Sequence, residues 1–129
     1  MGTFYTQVQI QHFAHRERSV TIDKALVDTG SEYTWIDGGL LETIGVEREK
    51  KDLAFTMANG QTITRSMGFA IVRSGEFFTV DEVVFGQPGD LQLLGARSLE
   101  GFNARVDSQG KTLVAAGPIP AAAAKARSR

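Results

Sequence analysis

Period-two alternation is the pattern that most restricts this chain. In residues 3–13, Phe4, Thr6, Val8 and Ile10 fall on one face and Tyr5, Gln7, Gln9 and Gln11 on the other, as in a half-buried strand. After a charged turn at residues 15–18 the alternation resumes in residues 19–28, then gives way to Ala25, Leu26 and Val27 in succession. A strand apolar on both faces enters the middle of a sheet. Further strands are predicted at residues 33–36, 69–73, 76–85, 91–95, 103–107 and 111–115. Asn59-Gly60 marks a hairpin within residues 55–68, flanked by residues that favour strands. Only residues 37–45, with Asp37 as cap, and residues 96–102 read as short helices. Residues 47–52 read as charged and exposed.

With 129 residues, the chain has room for one ordinary domain. The domain is expected over residues 1–116, with a Pro/Ala-rich tail at residues 117–129. The 14 basic and 15 acidic residues nearly cancel, so there is no electrostatic footprint for nucleic acid and no basic amphipathic stretch for a membrane surface. There is no cysteine, which removes disulfides and thiolate metal sites. The alternating N-terminus lacks the apolar core of a signal peptide. No stretch approaches the roughly 18 apolar residues of a membrane span. A cytoplasmic location is the expectation.

One short stretch carries chemistry. Asp28 follows the apolar run and precedes Thr29, Gly30 and Ser31. Gly30 leaves backbone N–H groups open towards the carboxylate. Ser31 is placed to hydrogen-bond its outer oxygen, and Thr29 to send its hydroxyl to a neighbouring backbone. The other aspartates, Asp23, Asp37, Asp52, Asp81 and Asp90, read as solvated charges. Asp107 lacks a Thr-Gly to orient it. His12 and His15 read as surface residues, with no carboxylate spaced to complete a metal site.

The run ALVDTGS around Asp28 resembles the active-site loop of aspartic peptidases, in particular their retroviral-type, single-domain branch. Leu93-Leu94-Gly95, with Leu99 following, is similar to the hydrophobic-hydrophobic-glycine element that precedes a short helix in that family. The hairpin lies between the two, where the family places its flap. The resemblance covers about residues 5–115 and is nearest to bacterial retroviral-like members. Two departures stand out. The flap tip is Ala58-Asn59-Gly60-Gln61, not glycine-rich, and Arg97 falls one place later than the arginine of many relatives.

The resemblance implies an all-β, retropepsin-like closed acid-protease barrel with one or two short helices. It implies an aspartic endopeptidase that hydrolyses peptide bonds with a water activated by two carboxylates. One chain supplies one Asp-Thr-Gly, so the second Asp28 would come from an identical chain in a homodimer. Asp28 would be catalytic, with Thr29, Gly30 and Ser31 supporting its loop. Met57, Ala58, Asn59, Gly60 and Gln61 would form the flap over a peptide or protein substrate. Leu94, Gly95 and Arg97 would lie beside the loop. No metal or other cofactor is implied. The alternative is a catalytically silent binding or dimerisation module on the same fold.

Overall fold

The computed structural model describes residues 4–120. The expected helix or tail after Pro120 lies outside the described residues. Eleven elements follow in order: β1 (Phe4–Gln11), β2 (Ser19–Val27), β3 (Thr34–Asp37), α1 (Gly38–Thr43), β4 (Lys50–Thr56), β5 (Thr62–Ser74), β6 (Phe77–Gly86), β7 (Leu93–Leu94), α2 (Ala96–Phe102), β8 (Ala104–Asp107) and β9 (Thr112–Ala115). The protein is therefore mostly β, as the alternation predicts.

Seven strands form one mixed sheet in the order β1-β2-β7-β3-β6-β5-β4, and β1 also pairs with β5. The path of pairings through β1, β2, β7, β3, β6 and β5 thus returns to its start. β4 lies outside that circuit as an edge on β5. β2–β7 and β3–β6 are parallel. β8 and β9 form a separate hairpin. No helix among the described residues is long and apolar enough to cross a membrane.

The central strands bury both faces, which explains their continuous apolar runs. Ala25 and Val27 of β2, Ile36 of β3, Val83 and Phe85 of β6 and Leu94 of β7 join the main core. The residues between them face the other way. Trp35, Val84 and Leu93 form a second cluster, on which Leu26, Leu53, Phe55 and Ile63 pack. That cluster is the ground beneath the β4–β5 hairpin.

Two expectations need correction. Residues 62–74 are one thirteen-residue strand, not a hairpin arm followed by a new strand at residue 69. β5 runs through Gly68 because the chain crosses it there. A Cβ on Gly68 would lie 2.3 Å from the Glu47 carbonyl oxygen. Residues 91–95 contribute only Leu93–Leu94 as strand; the turn after Gly86 extends to Leu91, which is 65% exposed. Residues 47–52 are exposed, as expected, and β4 begins within them at Lys50, with a bulge against β5 before Leu53.

Candidate active site

The loop after β2 is fixed from both sides. Val27 pairs with Leu94 in parallel register, and the Asp28 amide donates to the Leu94 carbonyl at 3.0 Å. This sets Leu93-Leu94-Gly95 beside the Asp28 loop. Beyond Leu94, the backbone at Gly95 passes against the segment that follows the loop. A Cβ there would sit 2.3 Å from the Tyr33 carbonyl oxygen, so only glycine fits. α2 starts at this contact, and its first amides, of Ala96 and Arg97, donate to the carbonyls of Ser31 and Glu32.

Within the loop the Gly30 amide donates to Asp28 Oδ1 at 2.9 Å, and the Ser31 amide donates to the Asp28 carbonyl at 3.1 Å. One carboxylate oxygen is thereby oriented by the backbone, and the half-buried side chain lines a cleft. Ser31 does not bond the carboxylate as expected. Its hydroxyl donates to the Tyr33 carbonyl at 3.1 Å instead and tightens the turn. Thr29 is exposed.

The cleft encloses about 630 Å³. Trp35, Phe55 and Leu93 line it with apolar surface, Met57 and Ala58 come from the hairpin, and Leu91 and Asp90 stand on another side. Phe55 packs edge-on against Trp35 at 5.5 Å and Tyr33 at 6.3 Å between ring centroids. Asn59, Gly60 and Gln61 form the turn beyond the cleft lining. The Gly60 amide donates to the Met57 carbonyl, the Met57 amide to the Gln61 carbonyl, and the Gln61 amide to Asn59 Oδ1. Gly60 has φ of +86° while Asn59 stays at negative φ. The turn is thus a three-residue loop closed by a left-handed glycine, not the two-residue Asn-Gly turn.

Arg97 reaches the loop segment despite its shifted position. Its guanidinium lies 3.8 Å from carboxylate oxygens of Glu32, Asp81 and Glu82 and sits 5.1 Å over the Tyr33 ring. Beneath it runs a buried polar chain. The Gly95 amide donates to Thr34 Oγ1 at 3.0 Å. Thr34 Oγ1 and Ser98 Oγ are 2.7 Å apart, and Ser98 donates to Asp81 Oδ2 at 2.9 Å. With the Ser98 proton committed to Asp81, the Thr34 hydroxyl must donate to Ser98. Every member points the same way, and polarised chains of this kind strengthen one another.

Asp81 and Asp90 are not the solvated charges expected of them, whereas Asp37 fills the cap position expected of it. Asp81 is only 8% exposed. Asp37 caps α1 through the Leu40 amide. Asp90 accepts both arms of the Arg65 fork, at 2.8 and 2.9 Å, and the Gln87 amide at 2.7 Å. The Arg65 hydrogen bonds, followed by the Gln87 amide, hold its carboxyl below the ordinary range despite partial burial. Thr34, Ser98 and the Arg65–Asp90 pair carry no local signal, because their partners lie tens of residues away. His12 uses Nδ1 to accept the backbone amides of Ala14 and His15. Compared with protein-family models and with curated proteins, the chain matches none of them.

Proposed function

We propose that this protein is an aspartic endopeptidase of the retropepsin-like kind, active as a homodimer. The observation that carries the reading is Asp28, oriented by the Gly30 amide at the margin of a cleft with an apolar lining and a hairpin over it. The closed circuit of strand pairings supports an acid-protease barrel. The parallel β2–β7 contact, which sets Leu94-Gly95 beside the Asp28 loop, supports it further.

Hydrolysis by carboxylates needs two of them. Asp28 of the partner subunit completes the pair across a two-fold axis, and the exposed Thr29 hydroxyls bond across the same axis. Two carboxylates about 3 Å apart do not both ionise, so they share one proton and titrate as a unit. The ionised member takes a proton from water as the water oxygen bonds to the peptide carbon. The protonated member gives its proton to the carbonyl oxygen. The resulting diol collapses as the C–N bond breaks. The nitrogen takes a proton from one carboxyl, a diol hydroxyl returns a proton to the other, and the one-proton pair is restored. The peptide lies extended under the hairpin, held by main-chain hydrogen bonds.

The test is cleavage of unfolded casein between about pH 3 and 7, comparing the native protein with Asp28→Asn. The reading predicts cleavage by the former and loss of at least about a thousandfold in the latter. Equal rates would sink it and favour the silent binding module, for which the single carboxylate per chain is the supporting observation.

A further inference from the structure

The hairpin over the cleft is held down in an unusual way. β5 pairs with β6 only from Met67 to Ser74, and nearer the turn it pairs with β4 alone. Among the described residues β4 has no other strand neighbour. Residues 53–65 therefore form a two-stranded arm, a unit that is marginal in water unless something beneath it helps. The apolar help comes from Leu53, Phe55 and Ile63 on the cluster around Trp35. The polar help is one bidentate pair, Arg65 on the arm with Asp90 on the turn after β6.

The pair is built to resist opening. Arg65 and Asp90 are 11% and 20% exposed, so water and salt screen them little. The third guanidinium nitrogen donates to the Thr64 carbonyl at 2.7 Å, which fixes the fork's angle. The Gln87 amide holds Asp90 from behind, and the Asp90 amide returns a bond to the Gln87 carbonyl at 2.9 Å. The turn so braced presents Gly89 and Leu91 to the cleft. Lifting the arm must break two charge-assisted hydrogen bonds together or drag this side of the cleft with it.

We propose that the Arg65–Asp90 fork is a latch between flap and cleft wall, and that both residues are positioning residues for the peptide beneath. The second half rests on the hydrolytic reading of the cleft; the first does not. An arm that lifts more often offers the substrate a less preorganised groove, so weakening the latch acts on binding more than on the chemical step.

Amide hydrogen exchange on the full-length protein tests the latch. Asp90→Asn removes the charge from the fork, and Arg65→Lys keeps the charge but loses the bidentate geometry. Exchange in residues 53–65 is expected to speed up about tenfold in Asp90→Asn and less in Arg65→Lys, with the amides of β6 unchanged. In casein-peptide cleavage, KM rises about tenfold while kcat stays within about twofold. Unchanged arm exchange in both variants overturns the latch, as does acceleration spread equally over β6. Faster arm exchange with unaltered KM overturns the positioning role. Absence of any Asp28-dependent cleavage in the native protein defeats the hydrolytic reading instead, and the exchange result still decides the latch.

Discussion

At the scale of single residues, what surrounds Asp28 is fixed by close backbone approach more than by side-chain partners. Gly95→Ala would force a Cβ to within 2.3 Å of the Tyr33 carbonyl oxygen and 2.9 Å of that of Glu32. The loop must shift, so the variant is expected to lose about 2–3 kcal/mol in thermal or urea unfolding. Ser98→Ala breaks the buried chain in two places, leaving the Thr34 hydroxyl without an acceptor and Asp81 Oδ2 without its donor. A loss of about 1–3 kcal/mol is expected by urea unfolding; a neutral result would mean that water replaces the hydroxyl. The position of Asp28 was legible from the residues around it, because an apolar strand running into Asp-Thr-Gly is a local pattern. The role of Ser31 was not. Its hydroxyl has a carboxylate and a carbonyl within its turn, and only the turn's geometry selects the Tyr33 carbonyl. The burial of Asp81 and Asp90 lacks a local signal for a related reason. Burial of a carboxylate is made tolerable by partners such as Ser98 and Arg65, and nothing in the neighbouring sequence announces them.

At the scale of elements, alternation located the strands well but not their continuity. The half-buried β1 shows its faces directly in Phe4, Val8 and Ile10 against Tyr5 and Gln7. α1 is legible through Asp37, whose carboxylate accepts the Leu40 amide. β5 is not, because Gly68 looks like a break in sequence and serves as a crossing point in space. The Arg65–Asp90 tie between elements also makes a pH prediction. The carboxyl of Asp90 is held below its usual range chiefly by its hydrogen bonds to Arg65, the charged group facing it. A carboxylate with a depressed folded value adds stability that is fully present above the ordinary aspartate range, about 4. That stability is lost as pH falls through the lower folded value. Acid unfolding monitored at Trp35 should therefore show the native protein losing more stability than Asp90→Asn below about pH 4. Parallel acid limbs for the two proteins would contradict this.

At the scale of the whole molecule, the strand circuit and the two-sided burial of its central strands create the cleft. The main core fixes β2, β3, β6 and β7. The second cluster, on the opposite face, supports the arm. Both layers were foreshadowed by the apolar runs, since Leu26 and Leu93 have no place in a one-sided sheet. The pairing of β1 with β5 has no local signal, because pairing between strands so distant leaves no trace in composition or periodicity. The same is true of assembly. One chain brings one Asp28 loop, and the proposed two-carboxylate site needs a second chain to supply the other.

Subunit mixing tests that requirement most directly. Native protein and Asp28→Asn are unfolded together in varying proportion, refolded at constant total concentration, and assayed for cleavage. If both Asp28 carboxylates act in one site, mixed dimers are inactive and activity follows the square of the native fraction, so an equal mixture retains about a quarter of full activity. Retention of about half, with activity linear in the native fraction, would show that each chain works alone and would contradict the shared-carboxylate site.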